Sequence, residues 1–283
     1  MSIKVENVFY TYQPGTPFEN RALTNVSVEI PEGSFVSIIG HTGCGKSTLL
    51  QHFNGLLMAE QGSVYVDDVL MTKKTVAELR KKVGLVFQYP EYQLFEETVY
   101  KDIAYGLQRE GLTTEEERGR VLDAMRIVGL DEEMAERSIY DLSGGQKRRV
   151  ALAGIIVMNP SYLVLDEPAA GLDPAGREEI LGYIKNLQKE RGTTIVLVSH
   201  SMEDVAKLAD KIIVMHQSEV IMEGSASEVF RNEEKLTEIG LAVPQITVLW
   251  NKLRRSFPNL PEDVYTVEAA KKAISEYMGG GVK

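Results

Sequence analysis

The chain has 283 residues, of which 43% are hydrophobic and 25% charged, the profile of an ordinary globular protein with a sizeable core. Its net charge of −10 argues against a dedicated nucleic-acid binder, and its single cysteine excludes an internal disulfide framework and a cysteine-based zinc site. The N-terminal stretch MSIKVENVFY lacks the apolar core of a signal peptide, and the longest uncharged run, 150–165, is too short to span a bilayer.

The predicted elements begin with two alternating stretches, IKVENV and LTNVSVEI, which indicate antiparallel strands. Helical stretches then separate four nearly all-apolar runs, so we expect an α/β domain with a largely parallel sheet. These runs are SFVSIIG (34–40), VGLVF (83–87), YLVLD (162–166) and TTIVLVSH (193–200). A charged helical subdomain is expected as an insertion at about 90–160, and a tail of short helices at 226–283.

A glycine-rich segment joins the first of these strands to a helix-like run. It fits the pattern G-x-x-x-x-G-K-[ST], whose backbone N–H groups and helix N-terminus cradle the β-phosphate of a nucleotide. Within it Lys46 neutralises charge on the β- and γ-phosphates, and the Ser47 hydroxyl is a magnesium ligand. The predicted nucleotide-binding residues here are Gly40, His41, Thr42, Gly43, Cys44, Gly45, Lys46, Ser47 and Thr48.

Two adjacent carboxylates end the strand at 162–166. Asp166 stands where a carboxylate can reach Mg²⁺, and Glu167 beside it could act as the general base that polarises the attacking water. Adjacent carboxylates at a strand end are also compatible with simple solvated charge. Together with the phosphate cradle, they predict hydrolysis of a nucleoside triphosphate.

A second anion cradle, LSGGQ, lies 20 residues before Asp166. The backbone amides at its helix start and the Ser143 hydroxyl are donors. One chain already has its own phosphate cradle, so a second one suggests contact with a nucleotide held by a partner subunit. The predicted residues of this cradle are Ser143, Gly144, Gly145 and Gln146.

These motifs occur in the order found in the ATPases of ABC transporters, and residues 2–225 resemble these proteins. The resemblance implies ATP as substrate and Mg²⁺ as cofactor. The resemblance implies that Gln88 lies near magnesium and the attacking water, and that Asp173 lies at the seam of an ATPase dimer. It also implies that His200 contacts the γ-phosphate. Tyr12 matches the aromatic residue that stacks on adenine, with Tyr10 as the competitor.

A finer resemblance is to the energy-coupling-factor branch, carried by GLVFQYPEYQLFEETVYKDIAYG (84–106). The phosphate cradle, or P-loop, lies within the stretch GHTGCGKSTLLQHFNGLL. This stretch and the tail stretch IGLAVPQITVLWNKLRRS look like the second of the two paralogous ATPases of this branch. This resemblance implies a peripheral protein at the cytoplasmic face of the membrane, powering uptake of vitamins or metal ions. Its partners would be a second ATPase subunit (paralogue or self), a transmembrane scaffold protein and a substrate-binding membrane subunit. The scaffold protein would dock on five residues, for which ordinary packing of the subdomain is the alternative: Tyr89, Pro90, Tyr92, Leu94 and Phe95. The tail would aid dimerisation.

Two alternatives remain, and they differ in the partner. One is the ATPase of a conventional ABC transporter, and the other is a non-transport ABC ATPase acting on nucleic acid. The chain has one cassette, an acidic balance and no long insertion between its nucleotide motifs, so we expect no nucleic-acid partner. Cys44 is interpreted as a small residue that fits the loop, with a pKa lowered by Lys46 and the helix N-terminus, so alkylation should inactivate the enzyme.

Overall fold

The computed structural model describes residues 1–279, which form ten strands and eleven α-helices. The strands are β1 (Ser2–Tyr12), β2 (Asn20–Pro31), β3 (Phe35–Gly40), β4 (Gln61–Val66), β5 (Val69–Leu70), β6 (Val83–Val86), β7 (Tyr162–Asp166), β8 (Thr194–Val198), β9 (Lys211–His216) and β10 (Glu219–Gly224). The helices are α1 (Lys46–Phe53), α2 (Val76–Lys82), α3 (Val99–Ala104), α4 (Thr114–Ile127), α5 (Gly144–Ile156), α6 (Pro174–Arg191), α7 (Met202–Leu208), α8 (Ala226–Phe230), α9 (Glu233–Glu238), α10 (Gln245–Ser256) and α11 (Val267–Gly279). Single-turn 3₁₀ helices lie at Pro90–Gln93, Tyr105–Leu107, Glu132–Met134 and Ile139–Asp141.

The first sheet is antiparallel, with strand order β2-β1-β4-β5. Its alternating sequence buries one face, as shown by Ile3, Val5 and Val8 of β1, while the residues between them are more exposed. The prediction of antiparallel strands from IKVENV and LTNVSVEI is therefore confirmed.

The second sheet has the order β10-β9-β3-β8-β7-β6 and is parallel from β9 to β6, with β10 antiparallel at one edge. Every residue of β3, β6, β7 and β8 is buried, which explains why their sequences are apolar without alternation. Because β3, β8 and β7 are neighbours running the same way, the loops after them meet at one edge of the sheet. Those loops carry the phosphate cradle, His200 and Glu167.

The two faces of this parallel sheet are covered differently. Helices α3, α4 and α5 share a core with one face, through residues such as Ile103, Val121 and Leu152. The antiparallel sheet and α1 share a core with the other face, through residues such as Val28 and Phe53. The predicted mixed α/β fold with antiparallel and helical additions is thus confirmed.

The tail packs in two separate clusters. Helices α8 and α9 and the loop after them share a core with Ile39 of β3 and Met202 of α7. Helices α10 and α11 pack against each other around the side chain of Trp250, a buried residue of α10. A boundary at residue 225 and a role of the tail in dimerisation stay predictions. In the described part of the chain, no helix combines the length and apolar character needed to cross a bilayer.

Candidate active site

The phosphate cradle is the loop between β3 and α1. Gly45 precedes α1 with a φ of +101°, and a Cβ on it would lie 2.2 Å from the Ala22 carbonyl oxygen, so only glycine fits. The Lys46 ammonium is buried and folds back into the loop, where it donates to the carbonyl oxygens of Gly40 at 2.7 Å and His41 at 2.8 Å. A cation held mainly by carbonyl dipoles is poised to exchange them for a phosphate anion.

Asp166 ends β7 beside the start of α1. Its carboxyl is 8% exposed, and burial raises its pKa, although a hydrogen bond from Ser47 opposes the rise. A buried carboxylate next to a hydroxyl is a donor set that suits Mg²⁺. Among residues 1–279 no group of three or more His, Cys, Asp and Glu side chains could hold a metal ion. At Ser47 and Asp166, Mg²⁺ would take several of its ligands from water and phosphate, as this ion usually does.

Glu167 is held from two sides at the edge of the sheet. His200 Nε2 lies 2.8 Å from its Oε1, and Gln88 Nε2 donates to its Oε2 at 3.1 Å. The Glu167 backbone has a φ of +50°, a strained conformation for this residue type, and its N–H donates to the Val198 carbonyl at 3.1 Å. The structure thus brings together Glu167, Gln88 and His200, which the sequence analysis expected at the attacking water (Glu167 and Gln88) and at the γ-phosphate (His200).

The two candidate adenine-stacking tyrosines pack edge-on against each other, with 5.0 Å between ring centroids, but they differ in their other neighbours. Tyr10 packs edge-on against the buried ring of His52, with 5.0 Å between ring centroids. The hydroxyl of Tyr12 lies 3.2 Å from Thr48 Oγ1, at the start of α1. Tyr10 is thus occupied with core packing, whereas Tyr12 lies against the helix that carries the phosphate cradle.

The LSGGQ segment forms the N-terminus of α5. Ser143 and Gln146 make a reciprocal capping box, in which Ser143 Oγ accepts from Gln146 N at 3.2 Å and Gln146 Oε1 accepts from Ser143 N at 2.9 Å. A Cβ built on Gly144 or Gly145 would meet no atom within 4 Å, so this helix end is open to an approaching anion. Asp173 caps α6 in a similar way, accepting from Gly176 N at 2.8 Å.

Arg148, two residues after LSGGQ, makes contacts that the sequence analysis did not predict. Its guanidinium is 3% exposed and pairs with Glu91 in the turn after Gln88. It also donates to the carbonyl oxygens of Pro168 and Ala170, in the loop after Glu167. Arg148 lies in the polar run QKRR at the start of α5, between two other basic residues, so no local signal in the sequence marked this one arginine as buried. Arg148 therefore joins the signature helix to the segments after Gln88 and Glu167.

The prediction that the pKa of the Cys44 thiol is lowered is wrong. Its side chain is 5% exposed and packs in the core cluster with Leu49 and Phe53, and this burial raises the pKa of the thiol. The opposing effect of Lys46, whose Nζ lies 4.0 Å from Sγ, is the smaller one. The interpretation of Cys44 as a small residue that fits the loop agrees with this packing.

The site as a whole has a P-loop, a carboxylate pair at a strand end, a glutamine and a histidine on the second carboxylate, and a separate LSGGQ helix. This combination defines a P-loop ATPase of the ATP-binding cassette type. The "ABC transporter" family model matches residues 23–170. The chain is 57% identical to the "Energy-coupling factor transporter ATP-binding protein EcfA2" of Clostridium acetobutylicum, over 97% of both chains. It is 55% identical to the protein of the same name from Acetivibrio thermocellus, over 98% of this chain and 99% of that one.

Solved structures agree with these sequence relatives. The chain superposes with a TM-score of 0.75 on cbiO1 from Clostridium perfringens, described as part of the ABC transporter complex cbiONQ, at 39% identity over 88% of this chain and 98% of that one. It superposes with a TM-score of 0.70 on the dimeric ATP-binding cassette MJ0796 bound to ADP and Pi, at 33% identity over 79% of this chain and 98% of that one. This chain therefore belongs to the ABC transporter family, as an ATPase of the energy-coupling factor branch. The resemblance expected from the sequence is confirmed.

Proposed function

We propose that this chain binds and hydrolyses ATP at the cytoplasmic face of the membrane to drive an energy-coupling factor importer of vitamins or metal ions. The observation that carries the chemistry is the position of Glu167, held between Gln88 and His200 beside Asp166. The shared name of the full-length relatives favours this branch over a conventional ABC transporter or a nucleic-acid ATPase.

Each side chain of the site has a role in this proposal. Lys46 leaves the loop carbonyls to contact the β- and γ-phosphates, while Tyr12 stacks on adenine. Ser47 and Asp166, with Gln88, would hold Mg²⁺, which neutralises phosphate charge. Glu167 accepts a proton from the attacking water as general base.

His200 both orients Glu167 and faces the γ-phosphate. Its Nε2 lies 2.8 Å from Glu167 Oε1, so Nε2 carries the proton of this hydrogen bond. The same N–H group can instead donate to a γ-phosphate oxygen. A shift of His200 from the carboxylate to phosphate would free Glu167 to act on water, so the resting contact holds the base until ATP is bound.

The second cradle implies a shared site between two ATPase subunits. Ser143 and the open glycines Gly144 and Gly145 lie at a free helix N-terminus, which attracts phosphate. Each ATP would be enclosed by one P-loop and the opposite LSGGQ, with Asp173 near the seam. A dimeric cassette among the structural neighbours, bound to ADP and Pi, supports this arrangement.

A groove beside the segment after Gln88 suits the membrane scaffold protein. It has a volume of 460 Å³ and is lined by apolar side chains that include Leu94, Phe95, Tyr105 and Ile155. Phe95 is 58% exposed and Tyr92 85% exposed, whereas Pro90 is buried. Of the five residues predicted to dock the partner, Tyr92 and Phe95 therefore offer the most surface.

The test of hydrolysis is Glu167→Gln. We expect unchanged ATP binding and a turnover lower by about 10²–10⁴-fold, because the amide cannot take a proton from water. Glu115→Gln, in the exposed first turn of α4, is the matched control and should hydrolyse ATP normally. Near-normal phosphate release by Glu167→Gln would overturn the assignment of the general base.

The test of the shared site places a bulky cation at the second cradle. In the Glu167→Gln background, and with the paralogous chain present if one exists, ATP should drive dimerisation. Ser143→Arg should prevent it while each monomer still binds ATP. Light scattering measures the dimer and equilibrium dialysis the bound nucleotide. Loss of ATP binding by the Ser143→Arg monomer would instead indicate a site within one chain.

A further inference from the structure

The side chain of His41 leaves the phosphate cradle and contacts the C-terminal tail. Its Nε2 hydrogen-bonds the carbonyl oxygen of Ile239, which lies 198 residues later in the loop after α9. Since a carbonyl oxygen only accepts, His41 Nε2 carries the proton. The backbone carbonyl of the same histidine accepts from Lys46. One residue therefore joins the phosphate-binding lysine to the tail.

The contact lies at the surface, since His41 and Gly240 are exposed, but the two residues leave no room for a side chain between them. Gly240 has a φ of +72°, and a Cβ on it would lie 2.7 Å from His41 Nε2. Two buried residues of the tail, Leu236 and Leu241, flank the loop and share a hydrophobic cluster with Ile39, the residue before Gly40. The tail loop is thus fixed against the P-loop by a hydrogen bond and by apolar burial.

The tail also contacts the opposite wall of the site. Met202 of α7, two residues after His200, belongs to the same hydrophobic cluster as Leu241. The backbone N–H of Gln245, at the start of α10, donates to Glu203 Oε1 at 3.2 Å. The segment 236–245 therefore touches the strand and loop that precede Lys46 and the helix that follows His200.

We propose that His41 is a positioning residue that fastens the P-loop to the tail through Ile239, so that the tail sets the affinity of the site for nucleotide. This rests on the proposed function only in that the P-loop binds ATP. With the contact in place the loop is ordered before nucleotide arrives, and without it binding must also order the loop. By reciprocity, bound nucleotide stabilises the tail contact.

Three variants of the full-length protein test the contact by equilibrium binding of a fluorescent ADP, which needs neither hydrolysis nor a closed dimer. His41→Ala removes the donor and should weaken binding by about 2- to 10-fold, the worth of one hydrogen bond. His41→Gln restores an N–H donor and should bind within about 2-fold of the parent. Gly240→Ala should match His41→Ala, and combining the two should add nothing further, because both break one contact.

The matched control is Gly111→Ala. Gly111 has a similar positive φ, +68°, but a Cβ there would meet no atom within 4 Å. The alanine variant therefore carries a comparable backbone strain without touching His41. We expect unchanged ADP binding in this variant. Equal weakening by Gly111→Ala and Gly240→Ala would show that the effect is general destabilisation, and would overturn the proposal.

Hydrogen–deuterium exchange supplies a measurement that would not change if His41 had only a structural role. ADP should slow exchange of the amides of 236–245 in the parent but not in His41→Ala, while α11 remains unaffected in both. Identical responses to ADP in the two proteins would refute the coupling. Normal hydrolysis by Glu167→Gln would refute the proposed general base without affecting this result, so the two failures are distinguishable.

Discussion

Replacement of Arg148 by methionine should destabilise the protein by about 3–5 kcal/mol, the usual cost of removing one partner of a buried ion pair. Arg148 is 3% exposed and Glu91 is 15% exposed, so water cannot take the place of the lost guanidinium. Two of its hydrogen bonds run to Glu91, at 2.9 and 2.5 Å. Two more run to the carbonyl oxygens of Pro168 and Ala170, at 3.3 and 2.6 Å.

Part of the loss should fall on the uncompensated Glu91 carboxylate. Glu91→Met in the Arg148→Met background should therefore recover at least about 1 kcal/mol, since an apolar pair replaces a buried lone charge. Pro168 and Ala170 would still lack their donor, which costs roughly 1–3 kcal/mol for each unsatisfied carbonyl. We thus expect the double variant to lie between Arg148→Met and the parent.

Urea unfolding followed by far-ultraviolet circular dichroism measures these differences. The midpoint should shift while the slope m stays constant, which would show that stability alone has changed. A loss below about 1 kcal/mol for Arg148→Met would refute the reasoning, because it would mean that water reaches the pair. Strictly additive effects of the two substitutions would also contradict it.

Three further predictions concern single side chains. Cys44 should react with N-ethylmaleimide more slowly than glutathione at pH 7.5, and faster as the pH rises, because burial raises the pKa of its thiol; intact mass measures this, and faster labelling than glutathione would contradict it. Tyr12→Ala should weaken ATP binding by about 2- to 12-fold through loss of stacking, while Tyr10→Phe should not; calorimetry of both variants decides between the two tyrosines. Burial alone would raise the pKa of Asp67, but hydrogen bonds from Lys82 and Tyr162 hold this pKa below its usual value. The contribution of Asp67 to stability should therefore be complete above about pH 4 and disappear as the pH falls through the lowered pKa. Asp67→Asn should flatten this part of the acid unfolding curve, and an unchanged curve would argue against it.

Much of the fold was predictable because its signals are local. The apolar runs at 162–166 and 193–200 coincide with β7 and β8 to within two residues, since burial on both faces leaves no polar position in a central strand. The proline after Asp173 is likewise a local signal for the start of α6, where the Asp173 side chain caps the helix. Glu167 lies beside Asp166 because it directly follows it at the end of β7, and its role as general base stays a prediction.

The features that sequence reasoning missed depend on contacts between distant parts of the chain. Cys44 lies two residues from Lys46, which suggested a lowered pKa, but no local pattern showed that its side chain turns into the core. The partner of His41 lies in the tail, 198 residues away, and Arg148 bonds to residues from two other loops. Side-chain direction within an irregular loop is set by what packs beneath it, and spacing along the sequence does not report this.

Trp250 is the single tryptophan of the chain, and it lies in the tail. Its ring is buried between α10 and α11, and its indole N–H donates to the Pro261 carbonyl at 2.8 Å. Intrinsic fluorescence excited at the indole band is therefore an optical signal from the tail alone. In a single-chain experiment, an emission change on adding nucleotide would report movement transmitted to the tail, and a rapid-mixing instrument could time that movement without any attached dye.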